Sequence, residues 1–332
     1  MRSRGGLFGR IADPANLEAA MRRAALGKHG RGPVRRLLAG ADREFALLRD
    51  EILSGAYRPR PYLQFRVMDP KPRTISCADF RDRVVHHAIC AVVAPVFERS
   101  FISDSFACRA GKGAHRAVLR AQRLSRRRGW CLKGDIRRFY DSVDHAVLIR
   151  LLERKVREPA LRHLLRVIVE HPLPGQNPGK GLPIGNLTSQ WFANLYLDRL
   201  DHEVKDRLGC RAYVRYMDDF VAWDARKDRL FDLWGEIRAF LAEQLRLELK
   251  EAGTFIAPVE AGVPFLGLRV FPGLLRLQRA RLRRMRSLIA RREGAHARGE
   301  ISAEDLARSA GASFGMMAFF GMRVPVASAH DA

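Results

Sequence analysis

The sequence predicts an α+β fold, in which amphipathic helices pack around a set of short strands. Three observations support this. Helical periodicity recurs along most of the 332 residues, short apolar runs with strand-like alternation lie between the helices, and the apolar run 213–223 reads as a hairpin. Asp218 and Asp219 lie at the tip of that hairpin. An Asp-Asp pair is acceptable in a plain turn, so a turn and a metal site are both open at this point.

The elements follow in order along the chain. Helices are predicted at 14–28, 33–54, 78–97, after Gly113 as far as 126–129, 150–170, from within 182–190 to 200, 229–247, 279–292 and 307–321. Strands are predicted at 62–68, 130–136, 255–256, 263–270 and 274–277, and a Pro-Gly turn at 272–273 precedes the last of them.

The composition is that of a globular chain, with 47% hydrophobic and 29% charged residues. No apolar run approaches the ~18 residues that a membrane span requires, and the basic N-terminus is not followed by the apolar core of a signal peptide. The five cysteines form no C-x-x-C pair. We therefore expect no membrane partner, and we expect a reducing, cytoplasmic location.

The charge is strongly basic, because 60 Lys and Arg residues face 36 acids and leave a net charge of +24. Such an excess, most of it arginine, favours a polyanionic partner, and nucleic acid is the most common one. The alternative is that GC-rich coding raises the arginine content everywhere and that the charge is only a solvated surface.

Three acids stand out by their position. Asp135 ends an apolar strand, where a carboxylate is destabilising unless a positive charge compensates it, and Mg²⁺ is the natural compensation. Asp218 and Asp219 follow 83 residues later, and neighbouring strands would bring all three together. Three carboxylates can hold two Mg²⁺ ions about 4 Å apart for in-line phosphoryl transfer. Asp141 and Asp144 have a simpler explanation as turn and cap residues.

Two basic segments match a polyanionic ligand. Lys71 and Arg73 lie in a proline-stiffened turn that can present both cations to a triphosphate, although a plain basic surface turn fits equally well. The helix at 279–292 is almost all arginine around a narrow apolar stripe, which favours a nucleic-acid duplex over a membrane surface.

Five motifs, in order, resemble those of reverse transcriptases. Residues 216–219 resemble the Tyr-x-Asp-Asp box, 133–140 the first catalytic motif, 182–190 the motif that faces nucleotide and template, 70–73 the fingers motif and 265–267 the primer grip. The resemblance covers roughly residues 30–320. It implies a right-hand polymerase with helical fingers (1–128), an antiparallel-sheet palm (129–275) and a short, basic, helical thumb (276–332). Residues 150–183 would form a helical and loop insertion of the palm that packs on the fingers.

The resemblance also implies roles for residues, RNA-directed DNA polymerase activity, and an RNA template, a DNA or RNA primer and dNTPs as partners. Asp135, Asp218 and Asp219 would be catalytic and would bind two Mg²⁺ ions, or Mn²⁺, with help from the Ile136 carbonyl. Contacts to the dNTP would come from Lys71, Arg73, Tyr140, Ile184 and Gly185, with Tyr140 as the gate that excludes a ribose 2′-OH. Template and primer contacts would come from Gln190, Tyr216, Phe265, Leu266, Gly267, Arg283 and Arg284.

Two departures from the common pattern sharpen the subtype. Many reverse transcriptases have Gln where this chain has Ile184, and most have Pro where it has Gln190. The pattern Ile-Gly-Asn-x-x-Ser-Gln is similar to the reverse transcriptases of diversity-generating retroelements. These bacterial or phage enzymes copy a template-repeat RNA with errors at adenines and work with a small basic accessory protein. Ile184 cannot donate the hydrogen bonds of an amide, so it would hold the nucleotide less tightly.

Other interpretations stay open. A third departure is the missing lysine before the primer grip, for which Lys250 or water would substitute as general acid. Another bacterial reverse transcriptase, of the group II intron-like, retron or antiviral type, is the alternative within the enzyme class. A non-catalytic RNA-binding protein on a polymerase scaffold is the alternative outside it.

Overall fold

A computed structural model describes residues 6–28, 30, 32–68 and 72–321 of the chain. The N-terminal region is helical, and its elements are α1 (Leu7–Ile11), α2 (Pro14–Ala25), α3 (Gly32–Ala39) and α4 (Ala41–Ser54). The Asp13 side chain caps α2 by accepting from the backbone N–H groups of Ala15 and Asn16. The single helix predicted at 33–54 is wrong, because the chain breaks at Gly40 into two helices.

A two-stranded hairpin and two helices complete the first third of the chain. Strands β1 (Leu63–Val67) and β2 (Arg73–Cys77) pair antiparallel, and α5 (Phe80–Glu98) and α6 (Ala114–Ser125) follow. Helix α5 is apolar nearly all round and packs against both α2 and the later helix α10 (Leu187–His202). It is therefore a core helix that joins the N-terminal region to the central sheet.

The central sheet has four antiparallel strands in the order β4-β5-β3-β6. They are β3 (Trp130–Asp135), β4 (Tyr213–Tyr216), β5 (Asp219–Asp224) and β6 (Phe255–Pro258). Side chains alternate between two cores: Leu132, Phe220 and Ala222 face one, and Cys131, Val221 and Trp223 face the other. The predicted hairpin is present, with Met217 and Asp218 as its two turn residues.

Helices cover one face of this sheet. They are α7 (Phe139–Ser142), α8 (His145–Lys155), α9 (Pro159–Val169), the already named α10, and α11 (Lys227–Leu245). The helix predicted at 150–170 is two helices, because Pro159 opens a new one after the extended residue Glu158. The Glu158 carboxylate accepts from the N–H groups of Leu7 and Phe8, at 2.8 and 2.9 Å, and so ties this segment to α1.

The C-terminal part rests on the other core. A small antiparallel sheet of β7 (Val263–Phe265), β8 (Leu268–Val270) and β9 (Leu275–Leu277) leads into α12 (Arg279–Ala297) and α13 (Ala303–Phe319). Met285 and Met317 are buried, and the ring of Phe319 stacks on His115 of α6 at 4.1 Å between centroids. Helix α13 thus returns to the body of the protein.

The described part of the chain contains no helix that is both long and apolar enough to cross a bilayer. All five cysteines lie within that part, and each is a free thiol.

Candidate active site

The sheet register brings the predicted acids together. Asp135 at the end of β3 lies directly opposite Asp219 at the start of β5, and Asp218 is the turn residue before it. The side chains of Asp135 and Asp219 share the face of the sheet opposite the helices. Cys131 and Trp223 face that side, and an even number of residues separates Asp135 from Cys131 and Asp219 from Trp223. Asp135 and Asp219, which are 84 residues apart in sequence, therefore form one cross-strand pair.

Gly134 allows the strands to pack this closely under the acids. It lies opposite Phe220, and a Cβ at residue 134 would meet the Phe220 ring at 2.1 Å. The tip of the ring lies on the helical side of the sheet, in the place that a side chain at residue 134 would need. The glycine of the first catalytic motif is thus a packing requirement of the strand pair that carries the acids.

Two lysines approach the carboxylates. Lys133 lies two residues before Asp135, hence on the same face, and its buried Nζ donates to Asp219 Oδ1 and to the Gly134 carbonyl at 3.3 Å. Lys250 Nζ lies 3.4 Å from Asp135 Oδ2. Sequence reasoning named Lys250 but missed Lys133, which the two-residue period of a strand would have found.

The acids repel one another. Burial raises the pKa of Asp218, and the neighbouring Asp135 raises it further. Burial also raises the pKa of Asp219 to about 6, although Lys133 opposes that shift. The two lysines therefore do not fully compensate the negative charge of the three carboxylates.

The donor set fits divalent metal ions. Three aspartates lie at one end of a strand pair, and carboxylate oxygens are the ligands that hard divalent cations prefer. Within the described residues, no three acidic, histidine or cysteine side chains converge on a single point as they stand. Asp219 is turned onto Lys133 and Asp135 onto Lys250, so binding would require these carboxylates to exchange an ammonium for a metal. The main chain of Ile136, the fourth predicted ligand, continues directly from Asp135 and bridges Leu249.

A cavity of about 840 Å³ is lined by residues that follow β3 and by residues of the β1–β2 hairpin, but by none of the three acids. Two of the predicted nucleotide residues, Arg73 and Ile184, line it. Lys71, predicted with them, lies outside the described residues. The lining also contains cations that sequence reasoning did not select: Arg137, Arg138, Lys180 and Arg246. The acids in the lining are Asp141 and Glu248, so cations predominate and a polyphosphate is a complementary ligand.

The cations of this cavity differ in how far they are neutralised. Arg137 pairs with Glu248 at 3.1 Å and Arg246 with Asp144 at 2.7 Å. Arg138 and Lys180 are exposed and have no acidic partner within the described chain. Together with the exposed Arg73, they are the cations of this lining available to an incoming phosphate.

Gly185 has a different neighbour from the one predicted. Its φ is 113°, and a Cβ there would lie 3.0 Å from Ile75 Cγ2 on β2. The carbonyl of Ile184 accepts from the Ser76 N–H at 3.2 Å. The loop is therefore fastened to β2, and glycine is needed for that contact as well as for any approach of a nucleotide.

Tyr140 is half-buried on α7. Its hydroxyl lies 3.9 Å from Met217 Sδ, its ring meets Phe139 edge-on at 5.6 Å, and burial raises its pKa. The predicted gate thus touches the turn that carries Asp218.

The predicted template and primer residues lie in four places. Gln190 is half-buried on α10, and Tyr216 is half-buried on β4, while Arg283 and Arg284 are exposed on α12. Leu266 and Gly267 form the β7–β8 turn with φ values of 50° and 81°, the pattern of a type I′ turn. Arg281 of α12 donates to the Leu266 carbonyl at 3.2 Å, so the basic helix holds this turn.

Comparisons with known proteins agree with this geometry. The family Reverse transcriptase (RNA-dependent DNA polymerase) matches residues 68–270. Protein YkfC of Escherichia coli is 28% identical over 272 residues, which is 68% of this chain and 71% of that protein. Group II intron-encoded protein LtrA of Lactococcus lactis is 25% identical over 154 residues, which is 44% of this chain and 26% of that protein.

Two further likenesses cover different extents. Nuclear intron maturase 4, mitochondrial, of Arabidopsis thaliana is 32% identical over 126 residues, 36% of this chain and 16% of that protein. A structure of Candida albicans telomerase covers 80% of this chain and 56% of its own, with 12% identity and a TM-score of 0.48. Since the family match spans more than half of the chain, the protein belongs to the reverse transcriptase family of RNA-directed DNA polymerases.

Proposed function

We propose that Asp135, Asp218 and Asp219 are the catalytic residues and bind two Mg²⁺ ions, or Mn²⁺, with the Ile136 carbonyl as a further ligand. The observation that carries this proposal is the cross-strand pairing of Asp135 with Asp219 beside Asp218. The ions would lower the pKa of the primer 3′-OH and stabilise the leaving pyrophosphate. The protein's own part is to place the three carboxylates at one end of the strand pair and to align the nucleotide against them.

The cavity lined by Arg73 and Ile184 is the proposed dNTP site. Arg73 and Lys71 would hold the triphosphate, and Arg138 and Lys180 add exposed positive charge along the same wall. Tyr140 would stand against the sugar and exclude a 2′-OH. Ile184 and Gly185 would face the base and sugar from the loop that is fastened to β2.

The remaining partners follow from this arrangement. An RNA template and a DNA or RNA primer would run over Gln190, Tyr216, the turn of 265–267, and Arg283 and Arg284 of α12. We propose fingers at 1–128, a palm at 129–275 that includes the segment 150–183, and a thumb at 276–332; the second boundary falls within β9. A cytoplasmic location stays a prediction.

For the biological role, we propose synthesis of adenine-error-prone cDNA from a template-repeat RNA in a diversity-generating retroelement. The support is the motif around Ile184, Asn186 and Gln190, together with the position of Ile184 in the wall of the cavity. An apolar side chain there offers the nucleotide no hydrogen bond, which lowers discrimination between bases. A small basic accessory protein would be the partner.

A group II intron-like role is the second candidate. The similarity to LtrA and to the plant intron maturase favours it, although this chain spans only 26% and 16% of those proteins. Retron and antiviral types remain within the same alternative.

Sequencing of cDNA made by the purified protein separates the two. The retroelement role predicts an excess of errors opposite template adenines, and Ile184→Gln should reduce that excess at least about threefold by restoring an amide. Leu173→Gln is the matched control, because it adds the same amide to the wall of the same cavity outside the motif. Errors no more frequent at adenines than at other bases would reject the retroelement role and leave the group II intron-like one.

A further inference from the structure

The turn that carries the acids has an unfavourable backbone conformation. Met217 is the first of the two residues between β4 and β5, and its φ is 54°. A positive φ at this position is the pattern of a type II′ hairpin turn, which normally has glycine there. Because Asp218 and Asp219 follow directly, whatever holds Met217 in this conformation also fixes the direction of both carboxylates.

Arg215 lies beneath this turn and bonds to it. The residue is fully buried, at 0% exposure, and its Nη1 donates to the Met217 carbonyl at 3.0 Å. Its Nη2 donates to Ser105 Oγ at 3.1 Å, and Nη1 also reaches Asn194 Oδ1 at 3.4 Å. The guanidinium therefore connects the turn to the segment beside β4 and to α10.

Arg215 is itself fixed by an equally buried acid. Its Nε and Nη2 donate to the two carboxylate oxygens of Asp201 at 2.7 and 2.6 Å, and Asp201 is also at 0% exposure. The Tyr213 hydroxyl donates to the same carboxylate at 3.0 Å. The planar fork of arginine is held in one orientation by this two-point contact.

A buried ion pair is weak support for stability, because an apolar pair of similar volume often does as well. A pair with this geometry is better explained by what it orients. We propose that Arg215 and Asp201 are positioning residues for catalysis, which hold Met217 in its positive-φ conformation and so aim Asp218 and Asp219 at the metal ions. This inference rests on the proposed function of those acids.

The test is Arg215→Lys, which keeps the charge opposite Asp201 but cannot bond at once to both of its oxygens and to the Met217 carbonyl. Arg81→Lys is the matched control: Arg81 is a buried arginine that pairs with Glu44 and Glu51 among the N-terminal helices, far from the turn. Met217→Gly is made in both the wild-type and the Arg215→Lys protein, because glycine adopts a positive φ without strain.

Three quantities are measured for each variant: the thermal unfolding midpoint, Mn²⁺ binding by electron paramagnetic resonance, and kcat and KM for dNTP on a primed RNA. We expect Arg215→Lys to lower kcat and Mn²⁺ affinity by about tenfold or more, equivalent to one lost charge-assisted bond, with KM for dNTP within about twofold. Arg81→Lys should change neither kcat nor Mn²⁺ affinity. Met217→Gly should restore a large part of both losses in the Arg215→Lys protein.

Loss of activity only in proportion to loss of folded protein would overturn the inference, as would unchanged Mn²⁺ affinity or a failure of Met217→Gly to restore either quantity. If Arg215→Lys does not fold, Arg215→Met with Asp201→Leu removes both charges together and carries the same expectations. Should the wild-type protein bind Mn²⁺ but extend no primer, the proposed function fails, and the Mn²⁺ measurements still decide the role of Arg215.

Discussion

Tyr140 is the residue whose proposed role depends most directly on steric fit. It stands five residues after Asp135, between Phe139 and Met217, with its hydroxyl facing the sulfur of the catalytic turn. A ring fixed on both sides cannot move aside for an additional hydroxyl on the sugar.

Replacing this ring tests its role as the gate. Tyr140→Ala should raise incorporation of ribonucleotides relative to deoxyribonucleotides by about 10- to 100-fold, because the space for a 2′-OH opens. Tyr140→Phe keeps the ring and should leave the ratio within about threefold of wild type. Competition between labelled rNTP and dNTP on one primed template measures the ratio, and equal ratios in the alanine and wild-type proteins would remove Tyr140 from that role.

Asp198 is a buried acid that the proposed chemistry does not use. Its Oδ1 has no hydrogen-bond partner in the described structure, and His202 Nε2 is 3.5 Å away. Burial raises its pKa to about 6, although His202 opposes the shift. The folded protein therefore keeps this proton between pH 4 and 6, where the unfolded chain has lost it.

Stability should accordingly fall as pH rises from about 4 to 6, since ionising Asp198 is costly only in the folded state. Asp198→Asn should remove this part of the pH dependence and raise the free energy of unfolding at pH 7 by about 1–3 kcal/mol. Asp206→Asn, on an exposed acid that also contacts His202, is the control. Urea unfolding at pH 5 and pH 7 makes the comparison, and a pH profile unchanged by Asp198→Asn would contradict the assignment.

At this scale the sequence predicted the acids but not their neighbours. Asp135, Asp218 and Asp219 stand out because acids are rare in apolar strands. Arg215 and Asp201 could not be paired from sequence, since the contact depends on how α10 crosses the sheet.

At the scale of elements, the β7–β8 turn and helix α12 act together. Arg281 donates to the Leu266 carbonyl, and the Gln278 N–H donates to the Gly267 carbonyl at 3.2 Å. Leu266 at φ 50° is unfavourable for a bulky residue, so these bonds hold the turn in place.

Loosening this turn should weaken the proposed binding of the primer. Arg281→Met keeps the length of the side chain but loses the bond, and KM for primer–template should rise about fivefold while KM for dNTP stays constant. Arg286→Met removes an exposed arginine from the same helix and controls for charge alone. Steady-state kinetics with each substrate varied in turn tests this, and equal effects of both substitutions would show that only charge matters.

Most elements could be predicted from periodicity. The strand predicted at 263–270 is wrong, because the chain turns at Leu266 and Gly267 between β7 and β8. The two errors in the helices share one cause. The stretches 33–54 and 150–170 are apolar at helical spacing throughout, so the pattern runs on across Gly40 and Glu158. Pro159 was the available signal for the second break, because proline favours the first turn of a helix.

At the scale of the whole molecule, the net charge of +24 predicted the class of partner but not where it binds. The cations around the 840 Å³ cavity come from β2, the turn before α7, the loop before Leu182 and the residue after α11. These segments are distant in sequence, and only the packing of helices on the central sheet brings them together. The pairing of the strands could be predicted from the motifs, because a metal site at a hairpin tip with two acids needs a neighbouring strand that also ends in an acid.

Single-nucleotide incorporation on a primed RNA with Mg²⁺ tests the central claim most directly. Asp219→Asn keeps the size of the side chain but removes a charge from the cluster, and Asp224→Asn makes the same change at the far end of β5. We expect the wild-type and Asp224→Asn proteins to extend the primer and Asp219→Asn to slow the reaction by more than about a thousandfold. An Asp219→Asn protein within about tenfold of the wild-type rate would contradict catalysis by these carboxylates.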